Sequence, residues 1–109
     1  MKKAIYLPGI ISVIAIAVIT LACAAATADF TVTSSTDANH NHHVVISGKD
    51  VDSPPTADKT ITSDGTSHTH TIVLTKQNFE AIKAGQEVTV TSSSSGTPAH
   101  SHTFKIKKP

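Results

Sequence analysis

The chain has no arginine and no tryptophan. Its one cysteine, one methionine and one tyrosine, Cys23, Met1 and Tyr6, all fall within the first 28 residues. From Asp29 to Pro109 sulfur is therefore absent, which excludes disulfide staples, a blue-copper centre, a Cu(I) thioether site and every cysteine-containing zinc finger. Besides histidine, the aromatics of this segment are Phe30, Phe79 and Phe104, so its core is thin and aromatic relays for electrons are missing. Seven Lys stand against eight Asp and Glu there, and without arginine forks or a basic stripe the segment is not built for nucleic acid. Lys105, Lys107 and Lys108 form a small basic tail that reads as a solvated terminus. About 81 residues suffice for one small domain and not for two.

What the first 28 residues hold is a different object. Met1-Lys2-Lys3 precedes an apolar run from about Ala4 to Ala28, interrupted by Pro8-Gly9 and ending in small residues. It reads as an export signal. Ala26-Thr27-Ala28 before Asp29 fits a small-x-small cleavage site, while Cys23 after Leu21-Ala22 resembles a bacterial lipoprotein signal. The lipobox departs from the usual pattern, with Thr20 and Leu21 where Leu and a small residue are normal. An uncleaved anchor is a third possibility, since residues 10 to 26 are nearly long enough to span a bilayer. The expected location is periplasmic, lipid-anchored at the outer membrane, or extracellular, with membrane contact only through this segment.

In the exported part every histidine lies in one of three clusters, His40/His42/His43, His68/His70 and His100/His102, and each contains H-x-H. In an extended chain residues i and i+2 leave the same face, so each H-x-H makes a two-pronged imidazole claw. Downstream, each pair continues into an apolar face: Val44 and Ile46, Ile72 and Leu74, Phe104 and Ile106. The alternate positions are mostly polar, and His43 falls among them as a solvent-facing bystander.

Upstream lie three matching segments, Thr31-Val32-Thr33-Ser34, Thr60-Ile61-Thr62-Ser63 and Thr89-Val90-Thr91-Ser92, whose alternation and β-branching predict strands. Short stretches rich in Ser, Thr, Asp, Asn and Gly join the two elements and supply turns. The unit is strand, turn, H-x-H strand, recurring every 28 to 32 residues from His42 to His70 to His102. The repeats cover about 31–46, 60–74 and 89–106. Each connector opens on a hydroxyl followed three residues later by a side-chain acceptor, Ser47 with Asp50 and Thr75 with Asn78. The second predicts a short helix from Lys76 to Ala84 with Phe79 and Ile82 on one face and Gly85 ending it. In the first, Pro54-Pro55 predicts a turn and an extended loop around Val51 instead.

Imidazoles without recurring carboxylates favour Cu(II), Zn(II), Ni(II) or Co(II) over Ca²⁺ and Mg²⁺, and by ligand type copper or zinc leads. One pair gives two ligands. A full site therefore needs adjacent pairs, a histidine from a neighbour or a second copy of the chain, and three pairs suffice for a six-imidazole cluster or a ladder. The candidate metal ligands are His40, His42, His68, His70, His100 and His102. The competing expectation is a metal-free ladder of half-buried histidines bonded to hydroxyls.

The pattern H-x-H-T-[VIF]-x-[IL], Leu-Thr, a short helix, Ala-Gly-x-x-Val-Thr-Val-Thr-Ser and another H-x-H resembles small exported bacterial repeat proteins. The likeness covers nearly all of the exported segment and implies export, repetition and β structure, with no assigned activity. Ala84-Gly85-Gln86-Glu87-Val88-Thr89-Val90 with His100 to Phe104 is similar to the start of a cupredoxin copper site, but the later Cys, His and Met of that family are absent. The H-x-H of alpha carbonic anhydrases invites an enzyme reading, yet this chain is far too short for that fold. Only Asp37 and Asp64 approach the clusters as acidic groups. The expectation is a small all-β, non-enzymatic exported domain, a sandwich or open sheet of three hairpin-like units with one short helix. It binds Cu(II) or Zn(II) for metal capture or metal-assisted stability. The alternative is a structural surface protein that self-associates through strand edges.

Overall fold

The computed structural model describes residues 25–109. Cys23 and most of the segment expected to be an export signal lie outside the described residues. Six four-residue strands form three antiparallel hairpins: β1 (Phe30–Thr33) with β2 (His43–Ile46), β3 (Lys59–Thr62) with β4 (Thr71–Leu74), and β5 (Val88–Thr91) with β6 (Thr103–Ile106). Their registers match. Val32 faces Val44, Ile61 faces Ile72 and Val90 faces Phe104, while Thr33–His43, Thr62–Thr71 and Thr91–Thr103 are the last ladder pairs at the histidine end. The fold class is all-β with minor helix, as the repeat pattern predicts.

Rather than joining in one open sheet, the hairpins meet in a ring, β2 against β3, β4 against β5, and β6 against β1. At each seam the same clamp closes the backbone. Ser35 N–H donates to Thr103 C=O at 2.8 Å while Thr103 N–H donates to Ser35 Oγ at 2.9 Å. Asp64 does the same with His43, at 3.0 Å and 2.7 Å to its carboxylate, and Ser93 with Thr71, at 2.8 and 3.0 Å. One chain has thus built a pseudo-threefold assembly from its own repeats.

Alternation sends one face of every hairpin inward. Val32, Val44, Ile46, Ile72, Leu74, Phe104 and Ile106 are buried there. Below the ring two helices close the core. The second, α2 (Lys76–Lys83), is capped by Thr75, whose hydroxyl accepts from Asn78 N–H at 3.1 Å while Asn78 Oδ1 accepts from Thr75 N–H at 2.9 Å. Phe79 and Ile82, three residues apart, are both fully buried, each worth about 1.5–3 kcal/mol of removed apolar surface. Ala84 caps the end and Gly85 follows with φ 87°, a left-handed turn that suits glycine.

The first connector departs from expectation. It carries a five-residue helix, α1 (Gly48–Asp52), with Val51 fully buried against the core. Ser47 caps it by accepting from Asp50 N–H at 3.3 Å. The prolines come after the helix has ended at Ser53, so they stop it without blocking it. Residues just before Phe30 are also tied in: Thr27 donates its N–H and hydroxyl to Asp52 at 2.8 and 2.6 Å, and Asp29 accepts from Gly48 N–H at 2.9 Å. The expected boundary between residues 28 and 29 therefore runs through a contact. Among the described residues no helix is long and apolar enough to cross a membrane.

Candidate metal centre

Each H-x-H lies just before its strand rather than within it, because a buried serine interrupts the ladder there. Ser34, Ser63 and Ser92 donate their N–H to His42, His70 and His102 C=O, each at 2.8 Å. Their hydroxyls then take the N–H of the same histidines, at 2.9, 3.0 and 2.9 Å, and donate to the next carbonyl, Ser35, Asp64 or Ser93. The knot is identical in all three repeats although the loops it closes differ in length. Alternation is kept, so the second histidine of each pair still points inward with the core residues that follow.

Six imidazoles meet on the pseudo-threefold axis in two layers. The inner layer, His42, His70 and His102, is buried at 4%, 1% and 1% exposure; the outer, His40, His68 and His100, is half-buried. An open cleft of about 820 Å³ lies over the outer layer, lined by its three histidines and the turn residues around them, and gives solvent a path to the rings. Gly65 and Gly96 let two of these turns pass close: a Cβ on Gly96 would lie 2.8 Å from His100 Cε1, and one on Gly65 would strike the His68 carbonyl oxygen. In the first repeat Ala38 and Asn39 make the corresponding turn with φ of 51° and 66°.

The ring orientations are set from outside. In the inner layer Nδ1 of His42, His70 and His102 donates to the carbonyls of Asp64, Ser93 and Ser35 at 2.7, 2.8 and 3.0 Å, each on the neighbouring hairpin. In the outer layer Nδ1 of His40 and His100 donates to the carbonyls of Ala38 and Pro98 at 3.0 and 2.9 Å, and His68 Nδ1 meets Ser67 Oγ at 3.1 Å. A carbonyl only accepts, so in the neutral form of any of these five rings the proton sits on Nδ1 and Nε2 carries a lone pair. Backbone carbonyls fixing the outer nitrogen are the usual support of metal-bound imidazoles.

All the lone pairs converge. His42, His70 and His102 have buried Nε2 atoms that bond to no protein group. His40 Nε2 lies 3.2 Å from both His68 Nε2 and His100 Nε2. For His40 and His100, two acceptors at that distance repel unless a positive charge stands between them. A proton would serve only one such pair and would leave the inner three atoms unpaired, an expensive arrangement in a buried site. A metal ion would supply the missing partner, and the histidines form two overlapping groups of four that could hold one, His40/His68/His70/His100 and His40/His42/His70/His102. Burial, then the neighbouring histidines, holds the His68 pKa below its usual value; burial is also the main cause for His70. Both shifts favour the neutral, ligating form.

His43 is outside the cluster. Its Nδ1 pairs with Asp64 Oδ2 at 2.8 Å on an exposed face, and this contact, with the His43 N–H bond as the larger cause, lowers the Asp64 pKa. Two carboxylates stand behind the inner layer, Asp37 3.4 Å from His102 Nδ1 and Asp64 3.7 Å from His42 Nδ1. The buried serines and the Ser35, Asp64 and Ser93 clamps escape sequence reasoning because they look like ordinary turn residues. Their signal is the serine that ends each Thr-x-Thr-Ser segment. Comparison with family models, curated proteins and solved structures finds no match for this chain.

Proposed function

We propose that the protein is an exported metal-binding protein in which one divalent transition-metal ion, held by the imidazoles of His40, His42, His68, His70, His100 and His102, staples three hairpins into a stable domain. The observation that carries this reading is the gathering of the imidazole Nε2 atoms, those of His42, His70 and His102 buried without a partner and those of His40 and His100 3.2 Å apart. A thin core without disulfides is the kind of scaffold that benefits from such a staple. Asp37 and Asp64 offset the charge of a divalent ion that would otherwise be costly to bury. Ligand type admits Cu(II) or Zn(II), the ions favoured from sequence, together with Ni(II), Co(II) and Fe(II). Stability is a better fit than reversible capture, since half of the donors are deeply buried. With six protein donors no position is left for substrate, so the role is not enzymatic. The support for export, whether with an acyl chain on Cys23, cleavage after Ala28 or an uncleaved anchor, is the N-terminal sequence alone.

The alternative, a surface protein assembling through strand edges, requires edges that in this fold lie against neighbouring hairpins near the histidine end. The test is metal content by elemental mass spectrometry on the full chain, purified without a histidine tag, with thermal unfolding before and after chelation. One equivalent of metal, a fall in melting temperature on chelation, and loss of both effects in His68→Ala/His70→Ala are expected. A parent protein that retains no more metal than this double variant refutes the proposal.

A further inference from the structure

The arrangement of the six rings is more specific than a cluster of donors. Ring centroids lie 4.7–5.2 Å apart for every pair among the six except His40–His70, His42–His100 and His68–His102. Each ring thus adjoins all the others but one, and the exceptions pair an outer ring with an inner ring of another repeat. That is the connectivity of an octahedron. A trigonal prism would set each outer ring beside a single inner one, and a tetrahedral site would leave two rings out. Taking the 3.2 Å from His40 to His68 and to His100 as the edge, a regular octahedron would have its centre about 2.3 Å from each nitrogen and its opposite corners about 4.5 Å apart. Of the three opposite pairs, His40 and His70 have ligand atoms within 4.8 Å of each other, in both of the four-histidine groups that could hold an ion; His42 with His100 and His68 with His102 fall in different groups. The distance from centre to nitrogen exceeds the roughly 2.0–2.1 Å of four-coordinate zinc–imidazole bonds.

Resting on the metal-binding reading, the geometry points to a coordinatively saturated site for a divalent ion of regular octahedral habit, Fe(II), Co(II) or Ni(II), held in preference to Zn(II). The three opposite pairs are related by the pseudo-threefold axis, so none is distinct and Cu(II) has no special axis along which to elongate. Partly filled d shells gain ligand-field stabilisation from six nitrogen donors, whereas the d¹⁰ shell of Zn(II) gains none and usually takes four ligands in structural sites. Collapse to four ligands is resisted from outside, since each inner ring is tied to the carbonyl of the next hairpin. Moving one ring off the ion would break that bond and leave another buried nitrogen without a partner.

The experiment is competition on the full chain, purified without a histidine tag, stripped with chelator and refolded in an equimolar mixture of Co(II), Ni(II) and Zn(II). Retained metal is counted by elemental mass spectrometry. Co(II) and Ni(II) together should exceed Zn(II) by at least about tenfold. The protein loaded with Co(II) alone should show the weak pink bands of six-coordination, and azide should not change them. In His70→Ala, which removes the donor opposite His40, azide should shift the spectrum. Zinc retained as well as or better than the other two, an intense blue four-coordinate Co(II) spectrum, or an azide response in the parent protein each overturns the octahedral assignment while leaving metal binding intact. Retention of no metal overturns both.

Discussion

Ser63→Ala isolates the knot that holds His70 in place. Ser63 is 5% exposed, and its hydroxyl is the acceptor for His70 N–H at 3.0 Å and the donor to Asp64 C=O at 2.9 Å. Removing it orphans the His70 N–H beside a ring that is 1% exposed. The Asp64 carbonyl loses less, because it still accepts His42 Nδ1–H at 2.7 Å. The orphaned donor dominates, and the expected destabilisation is about 2 kcal/mol, inside the ~1–3 kcal/mol range for such groups. For a domain of this size that lowers the melting temperature by roughly 8–16 °C. The assay is denaturant unfolding with metal chelated, which separates the backbone effect from ligation, with exposed Ser94→Ala as control. Ser34→Ala and Ser92→Ala should behave alike because they make the same three bonds. A loss below about 0.5 kcal/mol for Ser63→Ala, or one no larger than the control, refutes the knot as a stabilising device.

Acid should act in two stages. His68 and His70 have pKa values below 6.5 in the fold, so the unfolded chain binds more protons; metal-free stability is full above about pH 6.5 and falls as pH drops from there toward the folded values, read by unfolding at stepped pH. Asp64, lowered below 3.8, contributes stability above that value that is lost as pH falls through its folded pKa, and Asp64→Ala should reduce this second stage, to which Asp52, lowered by its bonds from Thr27, also contributes. Gly96→Ala and Gly85→Ala both place a side chain at positive φ, and each should cost about 1 kcal/mol. Only Gly96→Ala should weaken metal affinity in a chelator titration, because its Cβ meets His100 whereas nothing stands within 4 Å of one at Gly85. A chain beginning at Asp29 should melt below one beginning at Ala25, having lost the Thr27–Asp52 bonds, with its metal content unchanged.

Patterns of period two and of i, i+3 spacing were legible in the sequence, and with them the hairpins, the inward course of the H-x-H pairs, the outward course of His43 and the helix from Lys76. Each depends on residues close in the chain. The helix at Gly48–Asp52 was obscured by prolines that follow it, since a breaker is informative about where a helix stops and silent about the turn before it. Closure of the hairpins into a ring was not legible. It depends on Ser35, Asp64 and Ser93 reaching strands that are 68, 21 and 22 residues away, through bonds that turn chemistry does not specify. The convergence of all six imidazoles follows from that closure, so spacing alone left a ladder and a cluster equally open.

The three hairpins are covalently joined in sequence, and this changes how the centre responds to dilution. A comparable six-imidazole site made from three separate copies would need them to find one another, and its assembly would fall with the cube of concentration. Here the second and third hairpins are always present at the effective concentration set by two connectors of twelve and thirteen residues, 47–58 and 75–87. A single molecule in a very dilute solution therefore brings the same six imidazoles together as one in a crowded solution.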